Sequence, residues 1–136
     1  MKKLLTLFAI VTMLILAGCS SAGVPNSVVN AIVVTPSSFD FGEIIQSEGT
    51  VSTTFEIENI SDETLVINRL STSCGCTTTE MDMADLEPGE VRTMKVTFDP
   101  MTHPEQSGTI ERVVYLQTSD PNQPEIQIDI TGFVVK

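Results

Sequence analysis

The sequence predicts an all-β fold: an immunoglobulin-like sandwich of two sheets, with seven or eight strands, spanning residues 30–136. Three observations carry this expectation. From Asn30 onward apolar residues recur at every second position rather than at about every 3.6. Turn-forming clusters interrupt the alternation at short intervals. No segment shows a persuasive helical stripe. The same strands closed as an up-and-down barrel are the alternative. With no Trp and no widely separated Cys pair in the strand region, an antibody-type sandwich with an inter-sheet disulfide is excluded.

Each element has its own reason. Residues 31–35 are a short apolar run ended by Pro36, which lacks the N–H a ladder needs. Phe39 and Phe41 flank Asp40 and run into Gly42. Val51, Thr53, Phe55 and Ile57 alternate with Ser52, Thr54, Glu56 and Glu58, the pattern of a half-buried strand that turns Phe55 into the core. Asn59-Ile60-Ser61-Asp62 then reads as a turn. Leu65 and Ile67 frame Val66 before Arg69. Residues 81–86 fit at most one short helical turn. Glu87-Pro88-Gly89-Glu90 turns the chain into residues 91–98, which alternate through Thr93, Lys95 and Thr97 and stop at Asp99-Pro100. Residues 113–116 form an apolar centre. Asp120-Pro121-Asn122 leads into Ile126, Ile128 and Ile130, and residues 133–135 close the chain.

Composition narrows the function classes. The chain has 136 residues, 41% of them hydrophobic, so it supports one domain with a core. A formal charge of −11 argues against nucleic acid as a partner, because phosphates must be met by Lys and Arg. One His and three Cys cannot build a multi-residue zinc framework by themselves. There is no phosphate-cradling glycine loop, no nucleophile elbow and no motif linking Ser, His and Asp, so no catalysis is expected. Asp82, Asp85, Glu87 and Glu90 make an acidic stretch. Its spacing matches no calcium loop and fits a solvated edge.

The N-terminus reads as an address. Lys2 and Lys3 precede an apolar run over residues 4–16, too short for a good spanning helix, and small residues follow. Leu16-Ala17-Gly18-Cys19 resembles the lipobox of bacterial lipoproteins. The resemblance implies a signal peptide of residues 1–18, cleavage before Cys19, a lipid on the Cys19 sulfur and an acylated amino group. Several acyl chains on one residue give stable anchoring where one is marginal. Removing the first 18 residues leaves 118, with five basic side chains against 18 acidic. Residues 20–29, small and polar with Gly23, Pro25 and Asn26, read as a flexible tether with a span of roughly 17 Å. The domain is thus expected in the cell envelope, outside the cytoplasm and attached to a membrane by its anchor. By the sorting rule of enteric bacteria, Ser20 implies the outer membrane, facing the periplasm, if the cell is Gram-negative.

Several short motifs support a family resemblance. They are Phe39-Asp40-Phe41-Gly42, Phe55-Glu56-Ile57-Glu58-Asn59, Ser73-Cys74-Gly75-Cys76-Thr77, Pro88-Gly89-Glu90, Phe98-Asp99-Pro100 and Ile130-Thr131-Gly132. In this order and spacing they resemble the bacterial domain-of-unknown-function family 1573, envelope proteins related to the Hydin-type, sperm-protein-like immunoglobulin domains. The resemblance covers residues 30–136. It implies the fold and no reaction. One departure is visible: residues 101–106, with Thr102, His103, Pro104, Glu105 and Gln106, stand where members more often have a short Gly-containing turn.

The most specific motif holds Cys74 and Cys76. On a regular strand they would share a face with Cα atoms about 6.6 Å apart, and Gly75 permits a bend that brings them within disulfide reach. In an oxidising compartment a disulfide is the default. Its tiny loop constrains the unfolded chain little and makes it easier to reduce than a long bridge. Three readings stand: a local structural clip, a labile redox pair, or a soft-metal clasp for Cu(I) or Zn, since two thiolates suit those ions. Zinc would need further ligands, and His103, Met101, Met81 and Met83 are the candidates. A solvated loop histidine and core-filling methionines are the plainer accounts of these residues. The leading expectation is a lipid-anchored, non-enzymatic binding or scaffolding module, meeting an envelope protein through a strand edge. The alternative is redox or soft-metal handling by Cys74 and Cys76.

Overall fold

The computed structural model describes residues 30–136. The expected signal peptide, Cys19 and the expected tether lie outside the described residues. Eight strands form two four-stranded sheets. They are β1 (Ile32–Thr35), β2 (Ser38–Ile45), β3 (Val51–Asn59), β4 (Ile67–Thr72), β5 (Thr77–Glu80), β6 (Val91–Phe98), β7 (Gly108–Thr118) and β8 (Glu125–Val135). One sheet has the order β1-β3-β6-β5 and the other β2-β8-β7-β4. All pairings are antiparallel except β2 with β8. Among the described residues no helix is long and apolar enough to cross a membrane.

The chain changes sheet at both lateral margins. At Thr35–Pro36, a cis peptide, it leaves β1 in one sheet and enters β2 in the other. On the opposite margin it passes from β4 to β5 through residues 73–76. The second crossing is where the Cys pair sits.

The alternation seen in the sequence becomes the core. Phe55, Ile57, Met94, Val96, Val114, Leu116, Ile128 and Ile130 are almost wholly buried between the sheets. A smaller cluster fills one end: Ile44, Cys76, Phe98, Ile110 and Val134. Phe39 and Phe41, two apart on β2, meet edge to face at 5.1 Å and pack partly against the core.

One local expectation changes, and two features go beyond the sequence pattern. Residues 81–86 make no helical turn; they run as a loop to Leu86, which bridges Leu65. Arg92 holds that loop by donating to the carbonyls of Asp82, Ala84 and Asp85. Residues 133–135 continue from the Ile126 to Ile130 alternation as the end of β8. The remaining strand is β5, Thr-Thr-Thr-Glu, which shows no apolar alternation because its buried position is filled by Thr77, 2% exposed. Asn59, also fully buried, closes the opposite end. Its Nδ2 donates to the carbonyls of Glu63 and Leu86, and its Oδ1 accepts from the N–H and hydroxyl of Ser61.

Candidate functional site

Cys74 and Cys76 lie in the link between β4 and β5, so the regular-strand spacing considered for them gives way to the bend that Gly75 permits. Backbone and hydroxyl bonds fix that link. The Thr77 N–H donates to Cys74 O at 3.1 Å, and the Thr72 hydroxyl donates to the carbonyls of Cys74 and Thr77 at 2.9 Å each. Ser73 exchanges two bonds with Val113 of β7, one from its N–H and one to its hydroxyl. The turn at Gly75 brings the two Cα atoms to 5.2 Å, and a disulfide joins the sulfurs.

The two sulfurs occupy different surroundings. Cys76 is 1% exposed and belongs to the small apolar cluster, whereas Cys74 is only partly buried. Arg112 of β7 donates from Nε to Cys76 Sγ at 3.1 Å. The rest of its guanidinium is held by Glu111 O at 2.7 Å and Gln106 Oε1 at 3.0 Å, and lies 6.0 Å from the centre of the Phe98 ring. His103 Nε2 stands 3.7 Å from Cys74 Sγ. The loop carrying His103 is ordered by several contacts. Asp99 caps the 3-10 turn Pro100–Thr102 by accepting from Met101 N–H. Gln46 donates to the carbonyls of Pro100 and Pro104. Gln106 N–H donates to His103 O.

Thus His103 is brought to the cysteines from a distant loop. The ligand atoms of Cys74, Cys76 and His103 all lie within 4.8 Å of one another. The methionines behave differently. Met81 packs against the larger core cluster, Met83 is exposed on its loop, and Met101 is 53% exposed beside His103. Chemically, the arrangement offers a dithiol–disulfide couple with a cation on one sulfur and an imidazole on the other. After reduction it also offers two sulfurs and one nitrogen to a soft ion. The guanidinium beside Cys76 favours a bare thiolate there and opposes a second cation.

Arg112 was not among the residues the sequence singles out, and Gln106 was named only as part of the unusual segment 101–106. A signal existed for Arg112. It shares a strand face with Ile110, Val114 and Leu116, all buried, and a charge on the apolar side of a strand needs a partner. The acidic stretch stays at the surface as expected. Within it the Glu90 carboxyl is held below its usual range, first by the Glu87 backbone N–H and then by Arg92.

The same sandwich recurs in distant proteins. A protein of unknown function from Porphyromonas gingivalis W83 superposes with a TM-score of 0.67 at 19% identity, covering 77% of this chain and 49% of that one. This chain therefore spans about half the length of that protein. The ASH / PapD-like domain 7 of human CEP192 gives 0.60 at 13% identity, over 78% and 86% of the two chains. The YadV chaperone gives 0.53 at 13% identity, over 77% and 51%. At these identities the likeness is one of fold. No curated protein matches the sequence. The sequence from residue 32 to 134 matches the family described as "Protein of unknown function (DUF1573)", and the chain belongs to that family.

Proposed function

We propose that this chain is a lipid-anchored binding module of the cell envelope, which meets a partner protein by adding that partner's extended segment to a sheet edge. One observation carries the proposal. β4 pairs with β7 only over Val114 to Thr118, and Ser73 completes the pairing at Val113. The Gly108 to Arg112 half of β7 pairs with β8 on one side and with no described strand on the other. Val113 turns its N–H and C=O toward Ser73, so strand alternation turns the N–H of Glu111 and the N–H and C=O of Thr109 toward the same open side, while Glu111 O is already held by Arg112. A surface cleft of about 530 Å³ lies over β7 and its partner β8 and reaches this margin at Ser73; Glu111 to Val113 and Asp129 to Thr131 line the rest. An unpaired edge beside a cleft is what strand addition requires.

The anchor would hold this edge at a membrane, outside the cytoplasm. Its support is the four-residue box at Cys19 and the short apolar run before it. The test has two arms. Mass spectrometry of the mature protein should find an acylated N-terminus at Cys19, and Cys19→Ser should lose the lipid while keeping the fold. Pull-down from envelope extracts should return a protein that Glu111→Pro releases, since proline removes a donor from the open edge and none from the β8 ladder. A partner retained equally by that variant, with an unchanged melt, overturns the edge; an unmodified N-terminus elsewhere overturns the anchor.

A second reading is favoured by the convergence of His103 and Arg112 on the disulfide: redox chemistry or soft-metal handling at Cys74 and Cys76. Counting free thiols and bound copper or zinc, before and after mild reductant, separates these. Metal near one equivalent that is lost in Cys74→Ser marks the metal form of the reading.

A further inference from the structure

The redox form of that second reading can be taken further, to a division of labour between the two sulfurs. We infer that the Cys74–Cys76 disulfide is an oxidising exchange site for a partner protein's dithiol, with Cys74 the sulfur attacked, Cys76 the leaving thiolate and Arg112 the residue that positions and holds it. The inference rests on the redox reading and on the asymmetry of the site.

Exposure decides which sulfur is attacked. Cys76 is 1% exposed and shares a buried apolar cluster with Phe98, Ile110, Ile44 and Val134, so a partner's thiolate has no open approach to its sulfur. Cys74 is partly open and sits at the link beside the unpaired half of β7. A partner segment lying along that edge would carry its cysteine past Cys74 rather than Cys76.

The steps balance as follows. A partner thiolate attacks Cys74 Sγ; the new sulfur–sulfur bond forms as the Cys74–Cys76 bond breaks. The electron pair of the broken bond passes to Cys76 Sγ, which leaves as a thiolate facing the Arg112 Nε–H, already 3.1 Å away. The partner's second thiolate then attacks its own sulfur in the mixed disulfide. Cys74 leaves as a thiolate and takes a proton from water, with the His103 imidazole 3.7 Å away. The partner has lost two electrons and formed a disulfide, and Cys74–Cys76 has gained both.

The direction follows from Arg112. A dithiol–disulfide couple becomes a stronger oxidant when its reduced form is stabilised. A guanidinium hydrogen bond favours thiolate and does little for the neutral disulfide sulfur. Arg112 is prepositioned for this by Glu111 O, Gln106 Oε1 and the Phe98 ring, so little rearrangement is needed when the charge appears.

The test uses the full chain and a glutathione redox buffer, with the thiol state of each cysteine read by alkylation and peptide mass. In the wild type a mixed disulfide with glutathione should form on Cys74. In the single variants, Cys76→Ser should react with glutathione disulfide at least tenfold faster than Cys74→Ser. Arg112→Gln should shift the dithiol–disulfide equilibrium about three- to tenfold toward the disulfide, with Arg112→Lys recovering part of the shift. A loss of packing alone would lower the melting point of both Arg112 variants without ordering their equilibria by charge. If glutathione leaves the wild-type disulfide intact, the redox reading itself fails. If exchange proceeds but adducts collect on Cys76, or Arg112→Gln leaves the equilibrium unmoved, the reading survives and the division of labour is wrong.

Discussion

Replacing Asn59 by Asp changes one side-chain atom and removes both donors that the buried amide supplies. Nδ2 donates to Leu86 O at 2.9 Å and to Glu63 O at 2.8 Å. Leu86 is buried, so its carbonyl has no water to turn to; leaving such a group unpaired costs about 1–3 kcal/mol. Glu63 is exposed, so its carbonyl recovers part of its bonding from solvent. The bonds from Ser61 to Oδ1 survive and strengthen with a charged acceptor. The net expectation is a loss of about 3 kcal/mol near neutral pH, or about 12 °C in Tm for a domain of this size. The pH dependence carries the sharper test. In the folded variant the new carboxylate faces two carbonyl dipoles, so its pKa is raised above its unfolded value. A raised pKa means the penalty is smallest below the unfolded value, about 3.9, and grows as pH rises through the folded one. The protonated acid can also donate to one of the two carbonyls. Urea melts of wild type and Asn59→Asp between pH 3.5 and pH 7, chosen as roughly bracketing the carboxyl range, measure this directly. A variant within about 0.5 kcal/mol of wild type at pH 7, or one whose penalty grows on acidification, would refute the assignment of Asn59 as the donor that closes this end.

Other perturbations test other parts of the sandwich. Phe55→Ala should cost about 3–5 kcal/mol, because the ring is fully buried in the main core. Cys74→Ser with Cys76→Ser should cost only about 1–2 kcal/mol, since the bridge spans a tiny loop and constrains the unfolded chain little; denaturant melts that reverse this ranking invert our account of core and clip. Gly132→Ala places a methyl 2.7 Å from Ile44 Cδ1 and should destabilise by about 1–2 kcal/mol, with Ile44→Val recovering part of the loss in a double-mutant cycle. Glu90 has a lowered carboxyl pKa, so what it adds to stability is present above about 4.5 and lost as pH falls through its lower native value. Glu90→Gln should therefore differ most from wild type at neutral pH and converge with it in acid.

Much of the fold was legible because a sandwich writes its core at period two. Phe55, Ile57, Ile128 and Ile130 were placed by alternation alone, and the structure buries all four. β5 was missed for the converse reason. Its buried residue is Thr77, and a strand of Thr-Thr-Thr-Glu has no apolar rhythm to read. It is held instead by pairing with β6 and by the sheet change before it. The Leu65 and Leu86 bridge was equally hidden, since an isolated bridge needs no repeat on either side.

The candidate site was legible in its chemistry but not in its assembly. Cys74 and Cys76 announce themselves, whereas the partners that make their sulfurs unlike come from far along the chain. His103 and Gln106 both lie in residues 101–106, where the family resemblance implies a short Gly-containing turn instead. That segment is not slack: Asp99 caps its start, Gln46 ties Pro100 and Pro104, and Gln106 reaches Arg112. So the departure does two things at once. It sets an imidazole beside the open sulfur, and it braces the guanidinium that touches the closed one. A short turn in its place would keep the Cys-Gly-Cys link without either of these contacts from the loop. Replacing residues 101–106 by such a turn should therefore leave the sandwich standing, because no residue of the main core cluster lies in the segment. The disulfide in that variant should shift toward the oxidised form in glutathione buffer, as Arg112 loses the Gln106 brace. An unchanged equilibrium would mean that Arg112 needs no support from the loop, and that the unusual segment serves the surface rather than the sulfurs.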